Sequence, residues 1–246
     1  MYVKSMEEIL QWLVRIFSFV PHTTNILNKV SNCVSQILKS YRHPYVILGN
    51  IMQRQDLWAT PLWYFDVPHS LINPYDIAQD AYAHQGLDRG VVISNIGGYQ
   101  SSGLTMNDSV PPTISKLMGV LVEQCQNCSK ELGFERKLDM ANFWININKK
   151  NHYNKMHVHS SSILSGTYYA TTPPQSGNIV FHNRAETSYI LGILKQMGAV
   201  DTRFTVTDQT FVPKAGAVLV FPGWLPHSVE ENRSEGDRIS IAFNLA

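Results

Sequence analysis

The sequence predicts a mainly β domain of the sandwich or barrel class, preceded by a helical extension. Three observations predict it. From Thr60 onward, short runs of β-formers alternate with Gly, Pro, Asn and Ser, the punctuation of many tight turns. Five Trp, eleven Tyr and ten Phe in 246 residues supply rigid bulk for a β-rich core. The first fifty residues follow a different, helical period.

In chain order, Met6, Ile9, Leu10, Leu13, Phe17 and Val20 fall on one helical face, and Pro21 ends that stretch. Ile26, Leu27, Val30, Val34, Ile37 and Leu38 form a second face. A helical hairpin is therefore expected within an extension spanning 1–55, packing on the main domain or offering a partner or homo-oligomer contact. Glu7, Glu8, Gln11 and Arg15 interrupt the first stretch and no small-residue cleavage site follows, so it is not read as a signal peptide. The main domain is expected over 56–246. Strands are expected at 62–66, 91–96, 141–148, 163–170, 178–182, 203–207, 217–221 and 238–244, with helices near 73–85 and 112–132. A late insert, 186–200, carries Tyr189, Ile190, Ile193, Leu194 and Met197 at helical spacing. It either packs on the barrel wall or covers the mouth as a lid.

Composition narrows the function classes. Hydrophobic residues make up 44% and charged residues 16%, an ordinary globular balance. A formal net charge of +1 carries no broad signal for nucleic acid or an anionic membrane. No apolar run reaches the roughly 18–20 residues that a membrane span needs. Three cysteines, Cys33, Cys125 and Cys128, argue against a disulfide framework and for a reducing, cytoplasmic setting. Cys125 and Cys128 form a CxxC, but no second Cys or His pair lies at zinc-finger spacing. They are read as two helix cysteines.

The chemistry lies in the second half. His157 and His159 flank Val158, and in a strand residues i and i+2 point to the same side, so both imidazoles can converge on one point. Alone, this pair is weak. A Pro-Gly-Trp-Leu-Pro turn delivers a third histidine, His227, and the alternating strand Arg238–Phe243 follows. Arg238 and Ser240 share one face of that strand, while Ile239, Ile241 and Phe243 take the other. A cation facing into a barrel requires an anion. His152 and His182 are candidates for the mouth, Trp224 for a wall. Tyr99 and Gln100, in the loop "NIGGYQSSG", are candidates for substrate contacts. His22, His43, His69 and His84 are read as surface or capping residues.

The order His157-x-His159, "SGTYY" (Ser165–Tyr169), His227 after a Phe-Pro turn, then "RISIAFN" resembles the iron(II)/2-oxoglutarate dioxygenase superfamily. A bacterial and phage branch of it is similar also in "TPLWYFDVP" and "SNIGGYQS". The resemblance covers about 60–246. It implies a double-stranded β-helix (a cupin-like jelly roll) that uses iron(II), O2 and the cosubstrate 2-oxoglutarate. It implies that His157 and His227 bind the metal, that Arg238 pairs with the far carboxylate of 2-oxoglutarate, and that Ser240 and Tyr169 hydrogen-bond that carboxylate. Asn146 takes a position that contacts the cosubstrate, with Asn148 as the register alternative. A guanidinium suits the carboxylate because it donates in a planar fork. The implied reaction decarboxylates 2-oxoglutarate to succinate and hydroxylates a small-molecule or peptide substrate. One departure matters: most of the superfamily has Asp or Glu where this chain has His159. Either the three histidines form the metal face, or a carboxylate from elsewhere completes it with His159 behind. Three neutral imidazoles would leave an iron(II) site at +2, so the dianion should bind well and the bare metal less tightly. Rival readings are a non-catalytic jelly-roll binding module and a three-histidine cupin oxygenase without a keto acid.

Overall fold

The structure, a computed structural model, describes residues 45–47, 50–52, 59–183, 185–202 and 204–246. The expected helices at 6–20 and 26–38, with any homo-oligomer contact through them, lie outside the described residues. The chain divides into two compact units, Met1–Ala59 and Thr60–Ala246. In the first, β1 (Tyr45–Ile47) and β2 (Asn50–Met52) form an antiparallel hairpin that the sequence reading did not anticipate.

The second unit contains β3 (Trp63–Asp66), helix α1 (Pro74–Gln85), β4 (Asn95–Ile96), β5 (Tyr99–Gln100) and helix α2 (Pro112–Glu131). Then come β6 (Met140–Asn148), β7 (Tyr153–His157), β8 (Leu164–Thr171), β9 (Ile179–His182) and helix α3 (Ala185–Gln196). The last strands are β10 (Asp208–Phe211), β11 (Ala217–Pro222), β12 (His227–Val229) and β13 (Arg238–Leu245). All strand pairings are antiparallel, in two sheets: β3-β11-β8-β13-β6-β5 and β10-β9-β12-β7-β4. This is the expected double-stranded β-helix.

The larger sheet is covered on both faces, which is why β8 and β13 are buried almost throughout. Alternate residues of β13 go to opposite sides. Ile239, Ile241, Phe243 and Leu245 join the core under the helices. Arg238, Ser240, Ala242 and Asn244 face between the sheets. α1 starts on an Asn73 cap, whose Oδ1 accepts from Tyr75 N at 3.1 Å, with Pro74 at the first turn. α2 presents Ile114, Leu117, Met118, Leu121, Cys125 and Cys128 to the same core, a stripe at helical spacing. Its two cysteines are buried free thiols, as helix cysteines should be. A second cluster lies between the sheets, with Tyr169, Leu219 and Phe221 meeting Ile179 and Phe181.

Several expectations need correction. The strand expected at 203–207 lies at 208–211, and only 95–96 of the expected 91–96 run pairs. β7, "YNKMH", was missed because it has no apolar alternation. Tyr99 and Gln100 are not a free loop. They pair with Ile147 and Asn146, Gln100 is buried, and the Tyr99 hydroxyl donates to Asp88 at 3.2 Å. The insert is helical over 185–196, but its apolar face does not pack on the barrel. Tyr189, Ile190, Ile193, Leu194 and Met197 are all exposed, and Leu191 is the buried member.

Candidate metal centre and its cavity

β7 and β12 are hydrogen-bonded neighbours, and His157 and His227 are direct partners across that pair. Between His227 and Val229 the register slips, so β7 carries one extra residue. Such a bulge re-aims the side chains beside it. His159 lies two residues past the end of β7, so it does not share a regular strand with His157 as the alternation argument supposed. A backbone bond from His159 N to Gly223 O, 2.8 Å, ties it to the turn that delivers His227. Ring centroids are 4.3 Å apart for His157–His227, 5.0 Å for His159–His227 and 5.2 Å for His157–His159. One nitrogen from each ring lies within 4.8 Å of the other two. That is close to the span one ion bridges at about 2.1 Å from each nitrogen. Among the described residues no carboxylate joins the cluster.

The hydrogen bonds behind the rings decide which nitrogen is left free to take an ion. His157 Nδ1 meets the Lys155 carbonyl at 2.7 Å, and His227 Nδ1 meets the Leu225 carbonyl at 2.9 Å. A carbonyl only accepts, so each Nδ1 carries the proton and each Nε2 keeps its lone pair. His159 Nδ1 meets Asn244 Oδ1 and Ser165 Oγ, each at 2.8 Å. Asn244 is oriented by donating from Nδ2 to Asn142 Oδ1 at 2.8 Å, and Ser165 donates to Asn244 Oδ1 at 2.7 Å. Burial holds all three imidazoles neutral. His159 is pushed down to about 4 and His227 to about 3, chiefly by desolvation and then by His157; His157 is lowered by desolvation too. Three neutral imidazoles with free Nε2 atoms suit iron.

The triad opens into a cavity between the sheets that also reaches Arg238, Ser240, Tyr169, Asn146 and Asn148. Register explains why these five meet. Ser240 pairs with Tyr169 on one side and Asn146 on the other, and Arg238 pairs with Asn148. Arg238 is 1% exposed. Its Nη1 donates to the carbonyls of Ser176, Glu230 (3.1 Å) and Gly177 (3.4 Å). Gly177 sits at φ +86°, and a Cβ there would lie 2.7 Å from that Nη1 and 2.4 Å from Glu230 O, so only glycine fits. Nη2 of Arg238 is buried without a partner, as is Oδ1 of Asn148. Among the described residues no carboxylate lies within ion-pair distance of this guanidinium, and Glu230 acts on it only from further away. A buried cation with one half satisfied and the other half bare is built for an anion. Burial pushes the Tyr169 phenol up to about 12, so it stays a neutral donor.

Residues 142–244 match the sequence model of a family described as "Putative 2OG-Fe(II) oxygenase". Over that stretch the chain is similar to the 2OG-Fe(II) oxygenases. That similarity supports an oxidoreductase that uses 2-oxoglutarate and iron. No curated protein resembles the sequence closely enough to count as a match. Solved structures share its fold. A Pseudomonas putida prolyl-4-hydroxylase is 14% identical with TM-score 0.53, covering 77% of this chain and 94% of that one. An oxidoreductase of the 2OG-Fe(II) oxygenase family from Burkholderia pseudomallei is 14% identical with TM-score 0.50, over 74% and 85%. HygX from Streptomyces hygroscopicus, with nickel and 2-oxoglutarate bound, is 12% identical with TM-score 0.50, over 76% and 83%.

Other sequence candidates lie elsewhere in the domain. His182 is held away from the cavity, its Nδ1 2.6 Å from Asp208 Oδ1 and its Nε2 2.8 Å from Ser228 Oγ. His152 accepts from Lys149 N at 3.0 Å and stands against Gly97. Trp224 does not line the cavity; Trp144 does, edge-on to His159 at 5.4 Å. Sequence reasoning missed Asn244, Ser165 and Asn142. A signal was present: Asn244 is a polar residue at an inward position of a strand whose other positions are mostly apolar.

Proposed function

We propose that His157, His159 and His227 hold iron(II) through their Nε2 atoms, and that Arg238 anchors the far carboxylate of 2-oxoglutarate. The reaction we assign is hydroxylation of a small-molecule or peptide substrate, coupled to decarboxylation of 2-oxoglutarate to succinate. The observation that carries this reading is a single cavity with three oriented imidazoles and a buried guanidinium whose Nη2 has no partner. Iron supplies oxygen activation when bound. The protein's own residues do the rest. The carbonyls of Lys155 and Leu225 and the Asn244 amide keep the ligand rings in one tautomer. Arg238, Ser240 and Tyr169 bind and orient the dianion, and Phe221 and Ile179 line the cavity with apolar surface that keeps water out. The free thiols of Cys125 and Cys128 fit a cytoplasmic setting.

The test is oxygen-dependent succinate formation from 2-oxoglutarate with added iron. His227→Ala and His157→Ala should each abolish iron binding and turnover while leaving the fold intact. Iron without succinate formation would favour a cupin-type oxygenase, and neither iron binding nor turnover would leave a binding module. If His159→Ala kept full iron affinity, His159 would be a supporting residue and not a ligand.

A further inference from the structure

Strand β12 has two faces with different chemistry. His227 and Val229 line the cavity, so Ser228 between them points to the outer face of the smaller sheet. His182 of β9 and Asp208 of β10 lie on that same face, and the two are direct partners in the β9–β10 register. His182 Nε2 is 2.8 Å from Ser228 Oγ, and His182 Nδ1 is 2.6 Å from Asp208 Oδ1. An ionised carboxylate only accepts, so Asp208 holds the ring proton on Nδ1. The neutral ring then keeps a lone pair on Nε2 and accepts from the Ser228 hydroxyl. Serine, histidine and aspartate thus stand in the order and at the spacing of a nucleophile, its general base and the carboxylate that orients the base. Backbone ladders already join β10, β9 and β12, so these side chains are not needed to pair the strands. The group is also open to solvent: the His182 side chain is 24% exposed and that of Asp208 51%. Opposite Ser228, where the β7–β12 register slips, stand Lys155 and Met156, both exposed. Lys155 brings a cation to the strand beside the hydroxyl, where an attacked carbonyl oxygen would gain negative charge.

We infer that Ser228 is an activated nucleophile and that this outer face transfers acyl groups from carboxylic esters to water. Ser228 Oγ attacks the ester carbonyl carbon while its proton passes to His182 Nε2. The bond to the alcohol oxygen breaks, and the alcohol leaves with that proton. Water, deprotonated by the same nitrogen, then attacks the acyl-serine, which releases the acid and restores the Ser228 hydroxyl. Nothing is oxidised or reduced and no metal takes part, so the inference stands apart from the metal and cosubstrate assignment proposed above.

Full-length protein is treated with a biotinylated fluorophosphonate, which phosphonylates an activated serine and loses fluoride. The reaction is run with EDTA and again with iron(II) under anaerobic conditions. Peptide mass spectrometry locates the adduct, and p-nitrophenyl acetate reports ester cleavage. We expect an adduct on Ser228 that forms equally well with EDTA and is absent in Ser228→Ala. His182→Gln should slow labelling and ester cleavage about 100- to 10,000-fold, the usual contribution of a general base. Asp208→Asn, which turns the ring proton toward the wrong nitrogen, should slow both by up to about 10,000-fold. A thermal melt checks that each variant is folded, and the position of the wild-type adduct needs no variant. Wild-type protein that carries no adduct on Ser228 overturns the inference. So does a folded His182→Gln that is labelled at the wild-type rate, and so does ester cleavage that stops with EDTA, which would assign it to the metal centre. If Asp208→Asn lowers the melting temperature but labels at full rate, Asp208 is a fastener of the sheet and its place in the triad falls.

Discussion

Replacing Asn244 by alanine should loosen the metal about tenfold without touching any proposed ligand. Asn244 Oδ1 accepts from His159 Nδ1–H, and its Nδ2 is anchored on Asn142. Loss of an outer partner of a ligand histidine costs typically about 10- to 100-fold in metal affinity. The structure places this variant at the low end. Ser165 Oγ also lies 2.8 Å from His159 Nδ1 and remains as an acceptor. Removing both acceptors, in Asn244→Ala with Ser165→Ala, should reach the high end, about 100-fold or roughly 2.8 kcal/mol. The two sites share a partner, so their effects should not add. The assay is anaerobic calorimetric titration of the apo protein with cobalt(II), beside a thermal melt. Stability should fall too, by about 1–3 kcal/mol, because Asn142 is left unpaired in a partly buried site. A double variant that binds cobalt no worse than either single one would refute the reasoning, since Ser165 would then not be the reserve acceptor.

Acidification should destabilise the metal-free protein. His159 and His227 titrate near 6.5 when unfolded but near 4 and 3 when folded, so the unfolded chain takes up protons first. Their contribution is complete above pH 6.5 and is lost progressively as pH falls toward 4 for His159 and 3 for His227. The pair should cost about 2–4 kcal/mol at pH 5, read as a falling melting temperature, and a flat profile from pH 7 to 5 would contradict the buried, neutral triad. Arg238→Ala should raise the 2-oxoglutarate requirement about 30- to several-thousand-fold, for a loss of about 2–5 kcal/mol, while iron binding without cosubstrate is not weakened. An unchanged 2-oxoglutarate titration would point to another anchor. Replacing 186–200 by a short Gly-Ser turn should leave the barrel folded, because the apolar side chains of α3 other than Leu191 are exposed. If the insert serves as a lid, succinate formation should persist while substrate-coupled turnover drops. Global unfolding on deletion would show that Leu191 anchors the domain.

Much of the site could be read from the chain because its chemistry sits in local patterns. Arg238 and Ser240 declare themselves by alternation within one strand, and His227 by the Pro-rich turn before it. His159 was legible as a candidate, but the geometry behind it was not. Its partners Ser165 and Asn244 lie on neighbouring strands 79 positions apart in sequence, and only the β8–β13 register brings them together. In the fold, Ser162 Oγ lies 3.0 Å from Ser165 Oγ and donates to the His159 carbonyl at 2.9 Å, extending the network. β7 escaped detection because a polar strand that borders a cavity does not show the hydrophobic alternation that marks a strand. For α3 the expected helical period was right, and of its two readings packing on the barrel wall is the one the exposed stripe does not meet, because period alone does not say that a neighbour covers it.

Strand β13 is a measuring rod. Its inward row runs Arg238, Ser240, Ala242, Asn244, so the residue proposed to grip the far carboxylate and the residue that accepts from His159 ride on one strand. At about 3.4 Å per residue they stand roughly 20 Å apart along the strand. Insertion of one residue between them would turn one end outward, because side chains alternate. Insertion of two would keep both inward but lengthen the row by about 6.8 Å, moving the guanidinium out of step with the metal. A substitution along this row leaves its spacing intact, whereas a change in its length shifts Arg238 relative to the histidine cluster.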